Sequence, residues 1–483
     1  KENDYKFTLL DIDINEYDDV YVENYIKENK FDFILYGTIV THYKWVKWFT
    51  NMIKKHQPET NVIVGNSVAG ALPEVFLKNT KADIVVTGEG EISAYESVEA
   101  IRLGRDFETV PGISFRNNQG EVVNNPARVA SNINELPQVD FSFFDVEAYI
   151  QKADNFPDKD DKPEEMRSFP VITARGCAFK CSFCHYVFWN DPYRNRSPES
   201  IIAEIKQRMQ QYNVNYIHFW DDLSFASAVQ AEKFCDAVIK SGLKFKWMAT
   251  VRVDLFARSR LSDDDSLRVA KKMKECGCYS TGFALESGNK EILEMMNKKI
   301  DVNDFYKTVY ALKKVGIICQ TSVVFGYPVE TKETIKQTFD QCLKAGIYPS
   351  IGFLLPLPYT VMYDYAKANG FITDEDSYLD SITERQDICL NMTKMSNEEI
   401  MNEIEMGAER LNEELKVGLE KGSFIKTKGY KNQKITKRLE VPQEQNIASL
   451  GNKSTENPKK MKRNRNDVSF NYSKTDFKFE DNS

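Results

Sequence analysis

The sequence predicts an α/β protein built from two parallel-sheet units in series and closed by helices. Three observations predict it. Residues 1–100 alternate short apolar runs with segments of helical spacing. From residue 168 a strand–helix repeat begins and runs through six units. After residue 370 the repeat stops and one strongly periodic helical segment follows. Apolar strands separated by helices imply parallel sheets covered on both faces. At 483 residues, 42% of them hydrophobic, the chain is long enough for two or three domains with sizeable cores.

In the first unit, residues 5–11, 32–37, 62–65 and 82–88 read as strands, and residues 20–29 and 45–56 as helices. Ligands of such sheets lie outside the carboxyl ends of the strands. Small and hydroxyl residues cluster there: Gly37, Thr38 and Thr41 after one strand, Gly65, Asn66 and Ser67 after the next, and Gly88-Glu-Gly-Glu91 after a third. Two readings stand at this point, a backbone cradle for a large ligand and ordinary tight-turn glycines. His42 reads as a solvated residue at a helix start. Residues 111–165 read as a connector that opens with a hairpin around Asn117-Asn-Gln-Gly120. A charged, proline-containing boundary follows over residues 154–165.

In the second unit, strands are predicted at 169–173, 216–220, 246–252, 279–285, 317–325 and 351–355. Helices start at Ser197-Pro198-Glu199, where a cap precedes proline at the first helical position, and near Ser262, Asp301 and Thr331. Six βα units suggest part of a barrel, with its chemistry at the carboxyl ends of the strands. Those ends are polar: Asp221-Asp222, Arg252-Val-Asp254, Glu286-Ser287-Gly288 and Gly326-Tyr-Pro-Val-Glu330. Beyond the barrel, Ser396-Asn-Glu-Glu399 is a capping box. It precedes Ile400, Ile404, Leu411 and Leu415 on one helical face, read as packing against the barrel, with a substrate lid as the alternative. Residues 426–483 are too polar to fold alone.

The first strand of the barrel runs into Thr173-Ala-Arg-Gly-Cys177-Ala-Phe-Lys-Cys181-Ser-Phe183-Cys184-His185. Three cysteines spaced C-x3-C-x2-C on one loop converge naturally on a metal centre, and thiolate is the usual ligand of iron–sulfur clusters. With no fourth cysteine nearby, one iron keeps an open position, as a metal that binds substrate requires. A Cys3His zinc site using His185, or three unrelated buried cysteines, are the alternatives; zinc sites usually draw ligands from two separate elements. The other six cysteines read as small apolar fillers.

The spacing, with Phe183 just before the last cysteine and Arg-Gly just before the first, resembles the signature of the radical S-adenosylmethionine (SAM) enzymes. The segments ahead of it resemble the cobalamin-binding domain found before many such cores. The resemblance covers most of residues 1–420. It implies a Rossmann-like cobalamin-binding domain over residues 1–110, a connector over 111–165 and a radical SAM core, a partial (β/α)6 TIM barrel, over 166–370. A helical C-terminal region over 371–425 and a disordered polar tail over 426–483 complete the expected organisation.

As site residues the resemblance implies a 4Fe-4S cluster on Cys177, Cys181 and Cys184, with Phe183 beside it. SAM would be held by Asp221 and Asp222 at the amino group, Arg252 at the carboxylate, Glu286 and Ser287 at the ribose and Gly326 on the adenine side. Gly37, Thr38, Thr41, Gly65 and Ser67 would line the nucleotide tail of cobalamin. Asn66 stands where the family often has a second glycine, and Val329 replaces another. The family's first strand, with the Asp-x-His-x-x-Gly loop of some members, would lie before residue 1. The implied activity is generation of a 5′-deoxyadenosyl radical, with methylation of an unactivated carbon as the first reading. The others are a radical cyclisation or rearrangement like that of anaerobic porphyrin-ring cyclases, and a non-catalytic cobalamin or redox sensor. A methylthiotransferase is disfavoured because residues 1–176 contain no cysteine.

The formal net charge of -8 argues against nucleic acid as an obligate partner. Nine cysteines in so long a chain are not a secreted disulfide framework. No run is long and apolar enough for a membrane span and no signal peptide opens the sequence, so a reduced cytoplasmic location is expected. The expected partners are a small-molecule or lipid-like substrate and a reductant such as a flavodoxin or ferredoxin.

Overall fold

The computed structural model describes residues 5–128, 131–153, 162, 165–185, 192–382 and 388–419. Among them the first sheet runs β1 (Phe33–Gly37), β2 (Asn61–Gly65), β3 (Ile84–Val86), β4 (Ile113–Arg116) and β5 (Val122–Asn124), in that spatial order. The first three strands are parallel and the hairpin β4–β5 is antiparallel. The hairpin expected in the connector is therefore the edge of the first sheet, because Val86 pairs with Ile113 across β3 and β4. Residues 5–11 form no strand. Instead the Tyr5 hydroxyl donates to Glu99 and the Phe7 ring meets Phe143 at 4.4 Å, so the segment is held by side chains rather than by a backbone ladder.

The second sheet takes β6 (Ser168–Val171), then, after a two-stranded ribbon β7 (Ala174–Arg175) and β8 (Arg194–Asn195), strands β9 (Tyr216–Phe219), β10 (Lys246–Thr250), β11 (Cys278–Glu286), β12 (Ile318–Phe325) and β13 (Ser350–Phe353). Its six strands are all parallel and lie in chain order, an open barrel wall. All six expected strands are present. The predicted helix starts hold as well: Ser197, Ser262, Asp301 and Thr331 each cap their helix through a side-chain oxygen. One apolar core fills the space between the outer strand face and the helices, with Phe219, Trp247, Phe283 and Phe325 fully buried in it.

The Ser396–Glu399 capping box is formed and starts the helix Asn397–Glu414, which buries Ile400, Ile404, Ala408 and Leu411. Leu415, at its end, is half-buried. The helix lies against Lys332–Ala345 so closely that a Cβ on Gly407 would stand 2.2 Å from the Phe339 ring. It is packed onto the barrel and is no lid. Most of residues 154–165 and all of 426–483 lie outside the described residues.

A second core runs through both sheets. Val40, Tyr43, Val64 and Phe76 from the first unit share it with Cys181, Phe183, Val324, Tyr327 and Tyr363 at the barrel mouth. Polar contacts reinforce the union: Lys47 reaches Asp376 at 2.6 Å and the Tyr43 hydroxyl donates to the same carboxylate at 2.7 Å. The carboxyl ends of β1–β3 are thereby held beside the three-cysteine loop. Among the described residues no helix is long and apolar enough to cross a membrane.

Candidate functional site

The loop after β6 is anchored before it reaches the first cysteine. Asp221 accepts from the Thr173 backbone N–H (2.8 Å), the Thr173 hydroxyl (2.5 Å) and the Ala174 N–H (3.0 Å). Its carboxylate is thus engaged in holding the start of β7, although the family resemblance implied a place for it, with Asp222, at the SAM amino group. Asp222 differs: burial, with the Asp221 charge beside it, pushes its carboxyl up to about 7. Gly176 then turns the chain at φ +78°, where a side chain is strained. Beyond it, Asn297 donates to the Lys180 carbonyl (2.6 Å), the Ser182 N–H donates to the Met296 carbonyl (2.8 Å), and Met362 N–H donates to the Ser182 carbonyl (3.2 Å).

All three thiols lie within electrostatic reach of one another. Burial, then the neighbouring Cys181, pushes Cys177 up to about 12. Cys181 receives a hydrogen bond from Cys184, which lowers it to about 6 against burial and raises Cys184 well above the ordinary thiol value. Among the described residues no three His, Cys, Asp or Glu side chains converge on one ion-sized point. Three thiolates that each bind a different iron of a larger cluster have no need to, and the donor set fits such a cluster. The His185 ring donates through Nδ1 to the Pro358 carbonyl at 2.9 Å.

Arg252 is engaged by its neighbours rather than left open. Its guanidinium lies 3.5 Å over the face of Phe179, inside the cysteine loop, with Arg258 on the same ring at 4.3 Å. It also donates to Asp254 (2.9 Å) and to the Lys298 carbonyl (2.7 Å). These contacts clamp the loop tip.

Glu286 lies where β11 shifts register against β12, and its backbone is left-handed at φ +64°. Such irregularities re-aim side chains at sites. The residue is 1% exposed, Oε1 receives Lys298 Nζ at 3.1 Å, and Oε2 is buried without a hydrogen-bond partner. Lys298 is itself buried. Burial opposes its charge, but Glu286 and Cys181 outweigh that and hold its pKa above the ordinary lysine value. Nothing in the spacing of Met295-Met-Asn-Lys298-Lys marks this residue, and the sequence reading missed it.

Ser287 is occupied locally: its hydroxyl accepts from Asn289 N–H at 3.1 Å and meets Thr338 at 3.4 Å. Gly326 turns at φ +100°, and its N–H donates to Glu330 at 3.3 Å. Burial pushes that carboxyl up to about 7. Phe183 meets the buried Tyr327 edge-on at 6.3 Å.

At the first sheet, Gly37 pairs with Gly65 across β1 and β2. A Cβ on Gly37 would stand 2.9 Å from the Gly65 carbonyl oxygen, so strand packing by itself demands glycine there. Gly65 has ordinary extended backbone and its nearest neighbour to a Cβ is Val86 at 3.8 Å, so space stays open above it. Asn66 has φ +61°, which explains why the position suits glycine and tolerates asparagine. Ser67 accepts from Val40 N–H at 3.1 Å, Thr38 bonds His42 at 3.0 Å, and the Thr41 hydroxyl is buried without a hydrogen-bond partner. His42, at the N-terminal cap of the helix Tyr43–His56, is bound to its own loop. The Gly88–Glu91 turn docks on the cysteine loop: Glu89 pairs with Arg175 (3.1 Å) and Arg194 (2.6 Å), and Glu91 pairs with Arg175.

The Radical SAM superfamily profile matches residues 171–342. An uncharacterized methyltransferase of Pyrococcus horikoshii is 31% identical over 316 residues, which is 64% of this chain and 64% of that protein. The anaerobic magnesium-protoporphyrin IX monomethyl ester cyclase of Rubrivivax gelatinosus is 29% identical over 273 residues, 55% of this chain and 46% of that one. The chain thus spans less than two thirds of the length of these relatives. Among solved structures, the radical SAM methyltransferase TsrM from Kitasatospora setae, with tryptophan and a SAM analogue bound, superposes at TM-score 0.59 and 17% identity. That match covers 77% of this chain and 72% of TsrM. The cobalamin-dependent radical enzyme OxsB, with aqua-cobalamin and SAM bound, also gives 0.59, over 77% of this chain and 50% of OxsB. Residues 171–342 thus match the radical SAM superfamily, and the chain shares the fold of TsrM and OxsB over about three quarters of its length.

Proposed function

We propose that this protein is a cobalamin-dependent radical SAM enzyme that methylates an unactivated carbon of its substrate. One observation carries the reading: the open strand ends around Gly65 and the three-cysteine loop belong to one packed body, joined through Glu89, Arg175 and Arg194. Two cofactor sites so joined suit a reaction in which one cofactor supplies a radical and the other a methyl group. A cluster on Cys177, Cys181 and Cys184 would supply the electron that cleaves SAM, and cobalamin would carry the methyl group; the chemistry is theirs, while the protein orients the target and excludes water. Asp222, the less engaged of the two aspartates, suits the SAM ammonium, and Glu286 Oε2 suits a ribose hydroxyl. The names of the relatives, methyltransferases and a porphyrin-ring cyclase, support this reading first and radical cyclisation second. An electron donor of the flavodoxin or ferredoxin class is required.

The test is anaerobic incubation of the reconstituted protein with SAM, reductant and cobalamin, followed by mass analysis of the nucleoside products. Formation of S-adenosylhomocysteine together with 5′-deoxyadenosine supports methyl transfer, and 5′-deoxyadenosine alone favours cyclisation. Neither product, from protein carrying a full cluster, would leave a non-catalytic sensor.

A further inference from the structure

Two buried cations, Arg252 and Lys298, lie beside the cysteine loop. Arg252 is engaged on the Phe179 face, by Asp254 and by the Lys298 carbonyl. Lys298 is different. Its backbone carbonyl receives Arg252 while its ammonium reaches forward to Glu286 Oε1, at 3.1 Å. It thereby ties the loop clamp to Glu286, whose other carboxylate oxygen, Oε2, is buried without a hydrogen-bond partner. A carboxylate with one oxygen held by a fixed ammonium can no longer rotate to satisfy itself, so its second oxygen stays available to a ligand hydroxyl. An isolated buried carboxylate would be costly, and the pairing removes that cost. The same ammonium lies within electrostatic reach of Cys181 and Cys184.

We propose that Lys298 is a positioning residue of the SAM site, holding Glu286 so that Oε2 faces the ribose diol and setting a positive charge beside the thiolate pair. This rests on the reading of Glu286 as a SAM contact. Two consequences separate it from a role in folding alone. Selectivity for the ribose hydroxyls should depend on Lys298. A cation near the cluster should favour its reduced, more negative state, so loss of the charge should move the potential downward.

The experiment uses anaerobically reconstituted full-length holoenzyme and measures iron content, the cluster midpoint potential and dissociation constants by titration. The probes are SAM and its 2′,3′-dideoxy analogue. Wild-type protein should bind SAM about tenfold or more tightly than the analogue, the worth of a charge-assisted hydrogen bond. Lys298→Met should keep its iron, lower the midpoint potential and reduce that preference to about threefold or less. Lys298→Arg should restore most of both, and the double variant K298M/E286Q should select no worse than either single one. Wild-type selectivity and potential in Lys298→Met would overturn the proposal. So would loss of iron in both Lys298→Met and Lys298→Gln, since Lys298 would then be a residue of the fold. Wild-type protein that binds neither cluster nor SAM would overturn the proposed function itself, a separable result.

Discussion

Glu89 Oε1 stands 2.6 Å from Arg194 Nη2, across 105 residues of chain. The same oxygen lies 3.1 Å from Arg175, two residues before Cys177, so one carboxylate closes the β7–β8 ribbon that brackets the cysteine loop. Its two arginine partners hold the Glu89 carboxyl below the usual carboxylate range against the opposing effect of burial. The turn that ends β3 is therefore a brace between the two candidate cofactor sites.

Removing that brace should loosen the cysteine loop. Glu89→Gln keeps the shape but removes the charge that Arg175 and Arg194 share, while Glu91 stays on Arg175. A loss of about 2–3 kcal/mol in local stability is expected, the range for charge-assisted bonds and little-exposed ion pairs. Amide exchange over residues 173–177 should accelerate, with little change in the helix Asn397–Glu414. Unchanged exchange at the loop would show that the shared apolar core suffices to hold it.

The two glycines of the first sheet should answer differently to substitution. Gly37→Ala should destabilise the apo protein by about 1–3 kcal/mol, because the new Cβ meets the Gly65 backbone rather than a movable side chain. Gly65→Leu should leave the apo protein close to wild type and block corrinoid retention, measured by absorbance after anaerobic gel filtration. Full corrinoid retention by Gly65→Leu would remove the cradle from the proposed function.

A pH effect should trace to Glu330. Burial raises its folded pKa to about 7 from the ordinary 4.5, so between these values the folded chain holds a proton that the unfolded chain releases. The group's contribution is complete below about pH 4.5 and is lost as pH rises through 7. The total is on the order of 3 kcal/mol. Glu330→Gln, which keeps both bonding partners but cannot ionise, should gain on wild type in denaturation midpoint between pH 5 and pH 8. Parallel midpoints across that range would contradict it.

Much of the barrel was legible because its signals are local. Ser197-Pro198 and Ser396-x-x-Glu399 announce helix starts within four residues, and every strand from β9 to β13 follows an apolar run bounded by caps. Residues 5–11 carried the same apolar signal and misled. A run specifies readiness to pair, and pairing also needs a free ladder; here Tyr5 and Phe7 are held by Glu99 and Phe143 instead. The hairpin Ile113–Asn124 was recognisable as a hairpin, while its attachment to β3 was not, since strand order is a long-range property.

What the sequence by itself determined is the cysteine loop, the six-strand order behind it and the capped helices. Each rests on residues a few positions apart, whose chemistry is the same in any fold. What only the tertiary structure decided is the division of labour among the polar strand ends. Asp221 turned inward to the Thr173 backbone while Asp222 did not, Arg252 stacked on Phe179, and Lys298 came to Glu286 across a register shift. Those outcomes depend on which donors and acceptors the docked elements bring within reach of one another. Hydrogen bonds and ion pairs act over a few ångströms in space, with no period along the chain to announce them.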